Sequence, residues 1–96
     1  MYLYIYIIIL LYIQNFTNQS FFEVKNLKTG EVHRMYIEKT FNELKKKIRN
    51  TFELTNPVKC VYYYDDRKEI CVKTEEDYEI MILSKANEKF ICLYFY

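Results

Sequence analysis

The chain has 96 residues, of which 51% are hydrophobic and 19% aromatic, with one glycine, one proline and a formal net charge of +1. This composition excludes a collagen-like or disordered chain, and the length allows a single domain with its own core. The three cysteines, Cys60, Cys71 and Cys92, lack a CxxC spacing and are accompanied by one histidine. We therefore expect reduced, packed thiols, with neither a disulfide framework nor a zinc site.

The first thirteen residues, MYLYIYIIILLYI, are uniformly apolar and precede the polar stretch QNFTNQS. Thirteen residues are fewer than the roughly 20 that a membrane-spanning helix needs. A secretory signal would fit the apolar run and the glycosylation sequons at Asn15 and Asn18, but a basic start and a clear cleavage site are missing. Residues 1–20 are interpreted as an apolar leader or an extension, and an added strand, secretion or membrane attachment stay open.

Residues 21–37 predict a β-hairpin. FFEVKNL and EVHRMYI each alternate apolar and polar residues, and Lys28-Thr29-Gly30 separates them. The only glycine thus falls in the turn, where a positive φ is favourable. Alternation places Met35 and Ile37 on one side of the second strand and Arg34 on the other.

The remainder predicts two helices and three more strands. Thr40-Phe41-Asn42-Glu43 has the form of a capping box and opens an amphipathic helix, and Thr74-Glu75-Glu76-Asp77 opens a second one. VKCVYYYD and EICVK predict strands joined by a short turn, and the unbroken apolar run FICLYFY predicts a central strand. The order β-β-α-β-β-α-β predicts an α+β ubiquitin-like roll, a mixed sheet with helices on one face.

Charge is unevenly distributed along the chain. Residues 25–49 contain eight basic residues against three acidic ones, whereas residues 65–79 contain seven acidic residues against three basic ones. One exposed ion pair contributes only about 0.2–1 kcal/mol, so a functional contact needs a cluster of charges. The pattern favours self-association or docking between oppositely charged surfaces.

Other chemistry has weaker support in the sequence. With His33 as the only histidine and no Gly-rich phosphate loop, we expect no enzymatic activity. The carboxylates of Asp65, Asp66, Glu69 and Asp77 are hard donors, but their spacing differs from that of a calcium loop, so we expect no metal or cofactor. The acidic half would repel phosphate, so we expect no nucleic acid partner.

Residues 21–96 resemble a Phox-and-Bem domain (PB-one domain), a ubiquitin-like module that pairs head to tail through an acidic and a basic face. Tyr63-Tyr64-Asp65, followed by Asp66, a strand and Glu75-Glu76-Asp77-Tyr78, is similar to the acidic OPCA motif of that family. Lys25 and His33-Arg34 fall where the family has its basic residues. Arg67 and Lys68 stand where the family has an acid and a glycine.

The resemblance implies a non-enzymatic interaction module for residues 21–96, in a cytoplasmic signalling or scaffold setting. Its partner would be a protein with a complementary charged face, either another such domain or a second copy of this chain. The implied site residues are an acidic face of Asp65, Asp66, Glu69, Glu75, Glu76 and Asp77, and a basic face of Lys25, His33 and Arg34. The alternatives are another ubiquitin-like binding domain, or a small secreted or membrane-tethered domain if residues 1–13 act as a signal.

Overall fold

The computed structural model describes residues 21–96, and the predictions for residues 1–20 lie outside this range. Within it, five strands and two helices follow the predicted order β-β-α-β-β-α-β. Their bounds are β1 Phe21–Asn26, β2 Val32–Tyr36, α1 Phe41–Thr51, β3 Val61–Asp65, β4 Lys68–Val72, α2 Glu75–Ser84 and β5 Phe90–Phe95. Neither helix of this part of the chain is long and apolar enough to cross a membrane.

The five strands form one mixed sheet in the order β2-β1-β5-β3-β4. β1 and β5 pair in parallel, whereas the other neighbouring strands pair antiparallel. The chain-terminal apolar strand β5 lies at the centre of the sheet, as its sequence predicted. The architecture is α+β and consistent with a ubiquitin-like roll.

Both helices pack on one face of the sheet. Alternate strand residues, such as Phe22 and Val24 of β1 and Ile91 and Leu93 of β5, are at most 1% exposed. They belong to the same hydrophobic cluster as the buried residues of α1 (Phe41, Leu44, Ile48) and of α2 (Tyr78, Met81, Ile82). The opposite face carries no helix within residues 21–96, and we call it the open face.

Helix α1 begins and ends with recognisable backbone caps. The Thr40 hydroxyl accepts a hydrogen bond from the Glu43 amide at 3.1 Å, which is one half of the predicted capping box. At the other end, Glu53 adopts a left-handed φ of 54°, and the Leu54 amide donates to the Arg49 carbonyl. This Schellman arrangement satisfies carbonyl groups that the end of a helix leaves without partners.

The two hairpins turn in different ways. In the first, Gly30 has a φ of 79°, as its position in the sequence predicted. In the second, Asp65 pairs with Lys68, so only Asp66 and Arg67 form the loop, with φ values of 48° and 67°. Two consecutive positive φ values define a type I′ turn, which normally favours Asn-Gly because most side chains disfavour this conformation.

Candidate docking surfaces

Two of the three predicted basic residues lie together on the open face. Glu23 pairs with Arg34 across β1 and β2, and Lys25 pairs with Val32, which places Lys25 and Arg34 on a diagonal. The Arg34 Nε atom lies 3.7 Å from a Glu23 carboxylate oxygen, and its guanidinium carbon lies 4.8 Å from the centre of the Phe90 ring. Both cations are exposed. We call Lys25 and Arg34 the basic patch.

His33 does not belong to the basic patch, although it directly precedes Arg34. It pairs with Val24, whose side chain is in the core, and its ring meets the Phe52 ring edge-on at a centroid distance of 4.7 Å. Its Nε2 atom lies 2.9 Å from a Glu31 carboxylate oxygen. Since successive strand residues point to opposite faces, His33 and Arg34 cannot contact the same flat partner surface.

The six predicted acidic residues occupy three separate places. The first is the β3–β4 turn, where Asp65 and Asp66 are exposed. An Asp65 carboxylate oxygen lies 3.7 Å from the Lys85 amine, which follows the end of α2. We call Asp65 and Asp66 the acidic turn. It lies at the β3–β4 side of the sheet, roughly 15 Å from the basic patch if each strand step is about 4.8 Å.

The second place is the start of α2, where two of the three carboxylates serve as helix caps. Glu75 accepts hydrogen bonds from the Phe41 and Asn42 amides of α1, at 2.7 and 3.0 Å. Asp77 accepts from the Lys73 and Thr74 amides and completes a capping box with Thr74. Glu76 is exposed.

The cap lowers the pKa of Asp77. The hydrogen bond from the Lys73 amide is the main cause, and bonds from Thr74 add to it against a smaller opposing effect of desolvation. Asp77 is therefore held as a carboxylate by its own helix. The acidic turn lies at the other end of α2, on the order of 12 Å away at a rise of about 1.5 Å per residue.

The third place is the open face itself, where Glu69 of β4 pairs with Tyr64 of β3. The Tyr96 hydroxyl lies 3.5 Å from a Glu69 carboxylate oxygen. Glu69 therefore shares the open face with the basic patch, at the opposite edge of the sheet. The start of α2 lies on the helix-covered side of the sheet, so the structure does not unite Glu69 with Glu75 or Asp77 in a single acidic face.

The open face carries a tyrosine cluster that the sequence motifs did not predict. It consists of Tyr62 and Tyr64 on β3 and of Tyr94 and Tyr96 at the end of the chain. The Tyr62 and Tyr64 rings stack on the Tyr94 ring at centroid distances of 5.6 and 5.4 Å. The sequence could have predicted this cluster, because the tyrosines in YYYD and in YFY are spaced two residues apart and alternate strand residues share a face.

Tyr94, at the middle of this cluster, has a buried hydroxyl group. That oxygen has no hydrogen-bond partner within residues 21–96. Burial raises the pKa of Tyr94, and the neighbouring Tyr64 and Glu69 raise it further. The Tyr94 hydroxyl is therefore held in its neutral form.

Catalytic or metal-binding groupings are not evident in the described residues. Cys60, Cys71 and Cys92 are free thiols, and residues 21–96 contain no cluster of three or more His, Cys, Asp or Glu side chains that could hold a metal ion. A cleft of about 380 Å³ lies between residues 54–60 and the end of β5. Its lining includes Lys28 and Lys59 but no carboxylate or imidazole, so it lacks a paired acid and base.

Comparisons with known proteins give the chain no family. No protein-family model matches it, and no curated protein matches it at a significant level.

Proposed function

We propose that the chain is a non-enzymatic protein–protein interaction module that docks through oppositely charged surfaces, in the manner of a Phox-and-Bem domain. The observation that carries this proposal is the separation of charge across the sheet. The exposed basic patch lies on β1 and β2, and the exposed acidic turn joins β3 to β4. The surface charges of one copy can therefore meet opposite charges of a second molecule in a head-to-tail contact.

Fewer residues take part in docking than the sequence motif predicted. Lys25 and Arg34 form the basic pole, and Asp65 and Asp66 form the acidic pole, with Glu76 as an exposed outlying charge. Glu75 and Asp77 are assigned to helix capping, because their carboxylates already accept backbone hydrogen bonds. The three free thiols support a reducing, cytoplasmic setting, which is part of the proposal.

The decisive experiment mixes two variants of the 96-residue chain that each lack one pole. Lys25→Glu/Arg34→Glu removes the basic pole, and Asp65→Lys/Asp66→Lys removes the acidic pole. Light scattering at low salt should show that neither variant alone forms an oligomer larger than a dimer. The mixture of the two variants should form a one-to-one complex. High salt should dissociate that complex, because exposed charges are screened beyond about 10 Å at 0.1 M.

Two controls separate a docking defect from a folding defect. Asp65→Ala and Lys25→Ala should each weaken binding, while circular dichroism and the urea midpoint stay close to those of the starting protein. If the two one-pole variants fail to form a complex on mixing, although both are folded, the head-to-tail function is wrong.

A further inference from the structure

We propose that the open face is a self-recognition surface through which two copies of this chain form a closed two-fold dimer. The inference goes beyond head-to-tail docking, since it requires neither Asp65 nor Asp66. It starts from β5, whose run FICLYFY is apolar on both sides although helices cover only one side within residues 21–96. An apolar strand of this kind is typical of a sheet that is covered on both faces.

The open face is unusually aromatic for a surface in contact with solvent. Tyr36, Tyr64 and Tyr96 are 65%, 56% and 58% exposed, and Phe21 and Phe90 stack on each other nearby with ring centroids 5.9 Å apart. Exposed patches of this type mark interaction sites, and tyrosine is enriched in interfaces because its ring buries area while its hydroxyl bonds. The face therefore has the composition of an interface.

The open face contains two rows of residues that run across the sheet, and their arrangement indicates that its partner is a second copy of the chain. One row runs from β2 to β4 as Arg34, Glu23, Cys92, Tyr64, Glu69; the next runs as Val32, Lys25, Tyr94, Tyr62, Cys71. Both rows are centred on β5, the middle strand of five. A two-fold axis along β5 thus exchanges β2 with β4 and β1 with β3 when two open faces meet.

This exchange brings unlike charges together at both ends of the first row. Arg34 of one copy lies over Glu69 of the other, and by symmetry the contact occurs twice. In the second row, Lys25 lies over the ring of Tyr62, which suits a cation–π contact. The face complements itself, whereas carboxylates in the Arg34 row would repel the phosphates of a single-stranded nucleic acid.

The centre of the face supports the same symmetry. Tyr94 lies next to the axis, so the stack that it forms with Tyr62 and Tyr64 faces the same stack of the second copy. A groove of about 220 Å³ beside it, lined by Glu23, Lys25 and Tyr94 among others, can take the protruding Tyr64 ring of that copy. Two sheets packed in this way lie about 10 Å apart. The dimer covers the basic patch, so dimerisation and docking at that patch exclude each other.

Charge exchange provides the main test, on the full 96-residue chain by sedimentation equilibrium at low salt. The chain carrying Asp65→Lys/Asp66→Lys, which lacks the acidic pole and cannot assemble head to tail, is the background for this test and should reach a dimer and no larger species as its concentration rises. Arg34→Glu and Glu69→Arg should each raise the dissociation constant about tenfold or more, since two ion pairs become two repulsive contacts. The double variant should restore the dissociation constant to within about threefold of the original. Both side chains are exposed, so circular dichroism should stay unchanged.

Cys92 provides an independent geometric test because it lies next to the axis and is exposed. Burial raises the pKa of the Cys92 thiol, and Glu23 and Glu88 raise it further, so the reaction needs a mildly alkaline buffer. A short bismaleimide should link two copies at Cys92. Cys92→Ser should abolish the linked dimer, whereas Cys71→Ser should not, because the axis places the two Cys71 residues at opposite edges.

The outcomes distinguish this inference from the head-to-tail function. A dimer that survives Asp65→Lys/Asp66→Lys but not Arg34→Glu supports the inference even if head-to-tail mixing fails. A chain that remains monomeric at every concentration overturns it, whatever else covers the open face. Failure of the double variant to recover dimerisation also overturns it, and so does a monomer that binds a single-stranded oligonucleotide at this face.

Discussion

At the scale of single residues, identical carboxylates serve different purposes in this chain. Glu75 and Glu76 are neighbours, yet Glu75 caps α1 through two amide hydrogen bonds while Glu76 is exposed and takes part in no ion pair within residues 21–96. Asp77 caps its own helix. A carboxylate that satisfies amides at a helix start also interacts favourably with the helix dipole. Part of the acid-rich segment therefore stabilises the fold.

Glu75→Ala should lower the free energy of unfolding by about 1–2 kcal/mol, because two amides at the start of α1 lose a charged acceptor. Glu75→Gln, which keeps an oxygen acceptor but removes the charge, should cause a smaller loss. Urea denaturation followed by circular dichroism measures both.

Glu76→Ala is the matched control and should change the same free energy by no more than about 0.5 kcal/mol, as expected for an exposed side chain. Equal losses for Glu75→Ala and Glu76→Ala would contradict the capping role of Glu75.

At the scale of elements, the β3–β4 turn contains a conformational strain that one substitution can relieve. Arg67 has a φ of 67° at the second position of a type I′ turn, where glycine is favoured. Arg67→Gly should raise the free energy of unfolding by about 1 kcal/mol, since an L-residue in the left-handed region costs roughly that amount. Lys68→Gly, within β4, should instead destabilise the fold. If both variants destabilise it, the turn is not of type I′ in solution.

The cap of α2 gives stability a defined dependence on pH. Because the pKa of Asp77 is lower in the folded state than in the unfolded chain, the unfolded chain binds more protons between these two values. The stabilisation by Asp77 is therefore complete above the unfolded pKa of about 3.9 and is lost as the pH falls towards the folded pKa.

Asp77→Asn should remove this contribution, so its urea midpoint should fall less steeply below about pH 4 than that of the unmodified chain. Measuring both midpoints at several pH values between about 2.5 and 6 tests this expectation. Parallel curves for the two proteins would show that the Asp77 cap does not titrate differently in the folded state.

Local rules predicted much of this architecture, because hairpins and helix starts depend on nearby residues. The single glycine marked the first turn, Thr74 marked the start of α2, and the apolar run at the end of the chain marked the central strand. Alternation along β2 also predicts the orientation of His33, since His33 is two residues from the core residue Met35 and therefore faces the same side of the sheet. The contact of Glu75 with α1 joins residues 34 positions apart, and no local pattern reports such a contact.

At the scale of the whole molecule, the sheet separates two environments, and successive side chains along each strand point into one and then into the other. Tyr63 is 2% exposed among the helices, whereas its neighbour Tyr64 is 56% exposed on the open face. Burial under the helices stabilises the monomer, and burial of the open face requires a second molecule. The same amino acid at adjacent positions should therefore affect folding in one case and association in the other.

Tyr63→Ala should lower the free energy of unfolding by about 3–5 kcal/mol, because it leaves a large cavity in the core. Tyr64→Ala should lower it by no more than about 1 kcal/mol, the contribution of its stacking on Tyr94, when measured at a concentration where the chain is monomeric. In sedimentation equilibrium, Tyr64→Ala should nevertheless weaken the dimer. If Tyr64→Ala is as destabilising to the monomer as Tyr63→Ala, the open face is already covered within one chain, and the closed dimer is excluded.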